Sequence, residues 1–324
     1  MAFPAYNVCP MTITRLLVVC ALLLTVAVAQ STPCCPHQPT QEKESALWQK
    51  LEAEISEIDA HLDGVTGVAI EDLTAGRTLF LHPDDVFPQA SSIKITVLAE
   101  LYRQQQQGKL KLDDVYTVNS ADLVADSDIM GGLTPGVTRI TNRDLATMMI
   151  AVSDNSATNV LIDRVGMDNV NSFVEGLGLH HTRLRRKMMD LKAASEGREN
   201  VATPREMMTL LDALYHGKVL SRPLTDDFFK MLATHKDSWI PRYLPDDLKS
   251  ANKPGALEGV RSDSGVIFAS RPYVVCIMTT YLRNERDGEE AIAQISRAAY
   301  RMFDRLGRAS EYGRVISPSN SSKP

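Results

Sequence analysis

With 324 residues, 44% hydrophobic and 23% charged, the chain has an ordinary globular composition and is long enough for one large core or two interlocked lobes. A net charge of -5 with the two signs interspersed argues against nucleic acid as a partner. Five cysteines, two of them adjacent, are not a disulfide framework, and the seven histidines show no metal-binding spacing, so no metal and no cofactor are expected.

In chain order, Arg15 precedes an apolar run at 16–28, and Ala27-Val28-Ala29 supplies a small-x-small cleavage pattern. Residues 1–29 therefore read as an export signal, with Met1 and Met11 both open as the start. The run is short for a membrane span, so the mature chain is expected to be periplasmic or extracellular, without a stable span, and monomeric. Cys9 and Cys20 would leave with the signal, and Cys276 reads as core. Residues 30–43, with Pro33, Pro36 and Pro39, read as a flexible leader.

A catalytic domain is expected over 44–307. It opens with an amphipathic helix capped by Ser45 and carrying Leu47, Leu51, Ile55, Ile58 and Leu62. Strands at 67–73 and 77–81 follow, joined as a hairpin by Thr74-Ala75-Gly76. Pro83 and Pro88 frame an extended approach to a helix that opens over 88–94 and stops at Gly108. From there to about residue 235 the pattern is helical: Thr141 and Asp144 form a capping box, the helix breaks at Ser153-Asp154-Asn155, and Pro204 starts another. Strands return at 260–269 and 272–282, then a helix at 289–306, and 308–324 read as a disordered tail. The fold class is α+β: an antiparallel sheet flanked by N- and C-terminal helices, with an all-helical lobe (about 91–235) inserted and the cleft between them as the natural site.

Ser91 and Lys94 stand three apart at the start of a helix, a spacing that stacks them on one face near the unpaired first-turn N–H groups. A lysine desolvated against a serine can lose its proton near neutrality and activate the hydroxyl. Ser250 and Lys253 repeat the spacing, but at a strand start, where residues three apart point to opposite faces.

Three motifs then fall in order: Ser91-Ser92-Ile93-Lys94, Ser153-Asp154-Asn155 and Lys253-Pro254-Gly255. This resembles the penicillin-recognising serine hydrolases, most closely class A β-lactamases, over roughly residues 45–307. The resemblance implies Ser91 as nucleophile, Lys94 as its proton acceptor or relay and Ser153 as proton donor to the leaving nitrogen. It implies that Asn155 contacts the substrate's side-chain amide and Lys94, that Lys253 faces the substrate carboxylate, and that Gly255-Ala256 edges the cleft, with the N–H groups of Ser91 and Ala256 as oxyanion hole. Asp154 is expected to pin backbone.

Two departures stand out. Pro254 replaces the family's threonine or serine, which removes a hydroxyl but suits an outward-facing edge-strand position. Arg242 and Arg261 are the candidates to bind the carboxylate instead. Further, Thr182-Arg183-Leu184-Arg185-Arg186 resembles the run into the family's Ω-loop, yet Met188 stands where the deacylating glutamate is expected and Lys192 where the asparagine is. A thioether cannot take a proton. Asp190 is the candidate substitute base, with Glu196 and Glu199 the other carboxylates nearby. The resemblance thus implies an exported serine hydrolase that forms an acyl-Ser91 intermediate with a β-lactam or peptidoglycan-like amide and deacylates slowly. The alternatives are a cell-wall peptidase, an esterase, or a β-lactam- or peptidoglycan-binding module without turnover.

Overall fold

The computed structural model describes residues 39–315, so the expected export signal and the expected leader up to residue 38 lie outside the described residues. The first helix, α1 (Pro39–His61), starts earlier than expected. Proline suits a helix's first turn because the missing N–H would be unpaired there anyway. Ser45 therefore lies inside the helix, where its Oγ accepts from Arg77 Nη1 (3.3 Å), rather than capping it.

The hairpin forms as anticipated, from β1 (Val65–Asp72) and β2 (Thr78–Leu81), with Val68 opposite Leu81. The C-terminal strands β7 (Ser250–Leu257), β8 (Val260–Ile267) and β9 (Tyr273–Thr280) complete an antiparallel sheet in the order β2-β1-β9-β8-β7. Strands β1, β8 and β9 are buried along nearly their whole length, because the sheet is covered on both faces. On one face lie α1 and α9 (Glu285–Arg308), where Trp48 meets Phe303 edge-on at 5.6 Å and Tyr273 stacks on Phe303 at 4.2 Å. Arg271 joins Asp72 of β1 to Glu44 of α1.

The other face packs against the inserted lobe. Its helices are α2 (Lys94–Gln106), α3 (Asn142–Ala151), α4 (Asn155–Val165), α5 (Met167–Gly176), α6 (Leu191–Ser195), α7 (Pro204–Tyr215) and α8 (Arg222–Leu232). The Thr141/Asp144 capping box is present, and Asp154 caps α4. The inserted region is not purely helical. Strand β3 (Phe87–Pro88) pairs with β6 (Val201–Ala202), and β4 (Val115–Thr117) with β5 (Arg139–Thr141). These pieces are two or three residues long, too short for an alternating pattern to mark them in the sequence. Residues 309–315, expected to be part of a frayed tail, turn back on themselves through an Ala309–Val315 bridge, and Lys43 Nζ donates to Tyr312 O (3.1 Å).

Candidate active site

Ser91 does not sit in the first turn of a regular helix. It lies in a single 3-10 turn (Ala90–Ile93), and α2 begins only at Lys94. The turn is entered through Ala90 at φ +47°, a left-handed conformation that costs a β-carbon residue energy and persists only where the surroundings enforce it. Gln89, fully buried, does much of that. Its N–H donates to Asn200 O (2.8 Å), its carbonyl accepts from Ser92 N (3.0 Å), Ser92 Oγ (2.7 Å) and Ser262 Oγ (2.9 Å), and Nε2 donates to Met278 Sδ (3.0 Å). The turn is thereby fastened to β8 and β9.

Strand β7 approaches the same turn from the sheet edge. A β-carbon on Gly255 would lie 2.4 Å from Gln89 O and 2.7 Å from Ser92 N, so only glycine lets the strand come this close. Pro254 is tolerated because β7 is the edge strand, as the missing N–H requires.

Lys94 is fully buried. Its Nζ donates to Ser153 O (2.6 Å), Ser153 Oγ (3.0 Å) and Asn155 Oδ1 (3.0 Å) and is not hydrogen-bonded to Ser91. Catalytic hydrogen bonds often close only around substrate. Lys253, also buried, donates from Nζ to Ser153 Oγ (3.1 Å) and Pro254 O (3.0 Å). The Ser153 hydroxyl thus lies between two lysines, on a residue held at φ +58°. Burial first, then the charge of Lys253, holds Lys94 well below the usual lysine range. Burial and then Lys236 bring Lys253 down to about 7, with Asp263 opposing. Two of the Lys94 partners, Ser153 O and Asn155 Oδ1, can only accept. A neutral amine can satisfy both and still turn its lone pair toward a hydroxyl.

Asp154 points away from this chemistry, as anticipated. One carboxylate oxygen caps Ala157 N (2.9 Å) and the other accepts from Ile129 N and Met130 N (3.1 and 2.8 Å). The 182–200 segment is closed at its neck by reciprocal backbone bonds between Arg183 and Val201. It is braced within by Asn200, whose Oδ1 accepts from Arg185 N and Arg186 N, and by an Arg186–Glu199 ion pair (2.8 Å). Met188 is buried there, its backbone paired both ways with the Asn159 amide (2.8 and 3.0 Å). A cleft of about 100 Å³ joins these parts, lined by Ser91, Asn155, Ala256, Met188, Met189, Arg186 and Asp126, among others.

Residues 50–303 match the beta-lactamase enzyme family. The chain belongs to that family. Among curated relatives, β-lactamase SME-1 of Serratia marcescens is 28% identical over 78% of this chain and 88% of its own. The crystal structure of a β-lactamase from Sphaerobacter thermophilus superposes with a TM-score of 0.71 at 33% identity, covering 78% of this chain and 96% of that one. PBP-A superposes with a TM-score of 0.73 at 26% identity, over 79% and 97%. Family and fold together make this a class A β-lactamase-like serine hydrolase.

The structure brings Ser91, Asn155 and Ala256 to one cleft, and Lys94 and Lys253 to one hydroxyl, that of Ser153. Other expected groups stay apart. Asp190 is exposed, outside the residues lining the cleft, and accepts from Ala193 N (2.9 Å) as the cap of α6. Lys192 is exposed on α6. Arg242 and Arg261 both pair with Glu289 (3.3 and 3.1 Å). The sequence reading missed Gln89, Ser262, Asn200, Lys236, Asp263 and Asp126. Each matters through a partner distant in sequence, and no local period marks such pairs.

Proposed function

We propose that Ser91 is the nucleophile, that Lys94 takes its proton, and that the resulting acyl-enzyme is hydrolysed slowly. Ser91 Oγ attacks the lactam carbonyl carbon, the N–H groups of Ser91 and Ala256 hold the oxyanion, and the C–N bond breaks. The proton passes from Ser91 to Lys94 and, through the Ser153 hydroxyl between the two lysines, to the departing nitrogen. Asn155 contacts the side-chain amide of the substrate while its Oδ1 holds Lys94. Lys253 attracts the substrate carboxylate, while Arg242 and Arg261 are both engaged by Glu289.

The observation that carries slow deacylation is Met188 in the wall of the cleft that holds Ser91. Removing a general base typically costs about 10²- to 10⁴-fold. The cleft wall contributed by 182–200 includes Arg186, Met188, Met189 and Asn200, none of them a base. Asp190 would have to leave its helix cap to serve. A mutant of PBP-A in which a leucine is replaced by glutamate has been solved as an acyl-enzyme complex with penicillin G, which supports acylation by a penicillin on this fold. The same missing base favours, as a second reading, covalent capture of β-lactams or peptidoglycan-like amides without turnover. We also propose that residues 1–29 are removed on export and that the mature protein is monomeric.

Hydrolysis of a chromogenic cephalosporin beside intact-mass measurement tests the proposal. The expected result is a burst equal to the enzyme concentration and then slow turnover with an adduct of long life. Rapid steady-state hydrolysis without accumulating adduct would refute it, and an adduct that never decays selects covalent capture.

A further inference from the structure

Asp126 lines the cleft with Ser91, yet neither the motifs nor the proposed reaction uses it. It sits at φ +53° on a loop clamped to the Ser153–Ser156 segment. Val124 N donates to Ser156 Oγ (2.9 Å), Ser127 Oγ pairs with Ser156 Oγ (2.7 Å), and Ile129 N and Met130 N are held by Asp154. Asp126 itself is fixed through its carbonyl, which accepts from Asn155 N (3.2 Å). The mount is rigid, but among the described residues the Asp126 carboxylate has no hydrogen bond or ion pair. Arg186, the cation in the same wall, is already paired with Glu199.

Aspartate and asparagine both tolerate a left-handed backbone, so the conformation explains a short polar side chain but not the charge. The negative charge is also close enough to favour the protonated form of Lys94, an effect that works against a base and that a neutral asparagine would avoid. An unpaired, solvent-exposed carboxylate on a clamped loop at the cleft is a receptor for a cation brought by the substrate.

We infer that Asp126 is a specificity residue that selects acyl donors carrying an ammonium group on the acyl side chain and disfavours those carrying a carboxylate there. This rests on the reading of the cleft as an acyl-transfer site, and Asn155, the proposed partner of the side-chain amide, is the residue whose N–H holds Asp126 in place.

Three penicillins with one nucleus isolate the effect: benzylpenicillin, ampicillin with an α-ammonium, and carbenicillin with an α-carboxylate. The second-order rate of Ser91 acylation is followed by intact mass. Ampicillin should outpace benzylpenicillin and carbenicillin should lag, by about three- to fivefold per charge for a solvent-accessible pair. The spread should narrow at high salt. Asp126→Asn, which keeps the backbone tolerance, should collapse the ampicillin-to-carbenicillin ratio, and Asp126→Lys should invert it, with unchanged melting temperatures showing that the fold is intact. An unchanged ratio in both variants, with labelling still present, overturns the inference and leaves the acyl-enzyme intact. Failure of all three penicillins to label the parent protein overturns the reading of the cleft and the inference with it. If Asp126→Asn instead lengthens the adduct lifetime and leaves the ratio alone, Asp126 acts in deacylation and selection by charge is refuted.

Discussion

Gly255→Ala is the sharpest test of how the cleft is assembled. The new methyl would stand 2.4 Å from Gln89 O and 2.7 Å from Ser92 N, against an ordinary contact of at least 3.4 Å, so a gap of about 1.0 Å must open. Ser262 Oγ, at 2.8 Å, can rotate away, but the two backbone atoms cannot. They belong to the knot around buried Gln89, which ties the 3-10 turn to β8 and β9. The edge strand β7 is the freer element and should move, carrying Ala256 away from Ser91. Overpacking of this kind costs about 1–3 kcal/mol, and a displacement near 1 Å in a reacting constellation costs about 10²-fold in rate. The assay is the second-order rate of Ser91 labelling by benzylpenicillin, read beside a thermal melt. We expect a rate loss near two orders of magnitude with a drop in melting temperature of several degrees. Labelling at the parent rate with an unchanged melt would refute the claim that glycine at 255 sets the distance between strand and nucleophile.

Ser91→Ala should abolish labelling by penicillins, whereas Ser250→Ala, at the first residue of β7 with its Oγ donating to Asn252 Oδ1, should leave the rate nearly unchanged. Deprotonation of Lys94 should raise the labelling rate, and a falling limb through about pH 7 should mark the loss of the Lys253 charge that attracts the substrate carboxylate. Lys253→Arg should remove that falling limb, because a guanidinium stays charged, and persistence of the limb would assign it to another group. Lys253 titrates near 7 in the fold and at 10.5 in the free side chain, so between those values the unfolded chain holds the extra proton. This lysine's burial penalty is therefore full below about pH 7 and is lifted as pH rises toward 10.5, which urea melts across that range can follow. Met188→Glu with Lys192→Asn should shorten the acyl-enzyme lifetime by at least about tenfold if the missing base limits turnover. Lys192 is exposed on α6, outside the cleft, so Met188→Glu alone should do nearly as much, and an unchanged lifetime in the double variant would mean that the 182–200 segment does not position the water.

The local elements were legible because their causes are local. The apolar spacing of α1 and α9, the Thr141/Asp144 box, the Thr74-Ala75-Gly76 turn and the break at Ser153-Asp154-Asn155 each follow from residues within a few positions of one another. The order, spacing and secondary-structure context of three short motifs together indicated the fold and reaction class, and Pro254 was compatible only with an edge position for β7. What the sequence could not determine depends on pairs that only folding brings together. The charge state of Lys94 depends on burial and on Lys253, and that of Lys253 on burial, then Lys236 and Asp263, none of which spacing can reveal. Asp190 illustrates the limit. Proximity in sequence to Met188 made it a candidate base, yet its carboxylate caps the short helix α6, because an unpaired helix N–H one turn on is the nearer donor. Asp126 is the converse, an ordinary loop residue in the sequence that becomes part of the cleft because Asp154 and Ser156 clamp the loop on both sides of it.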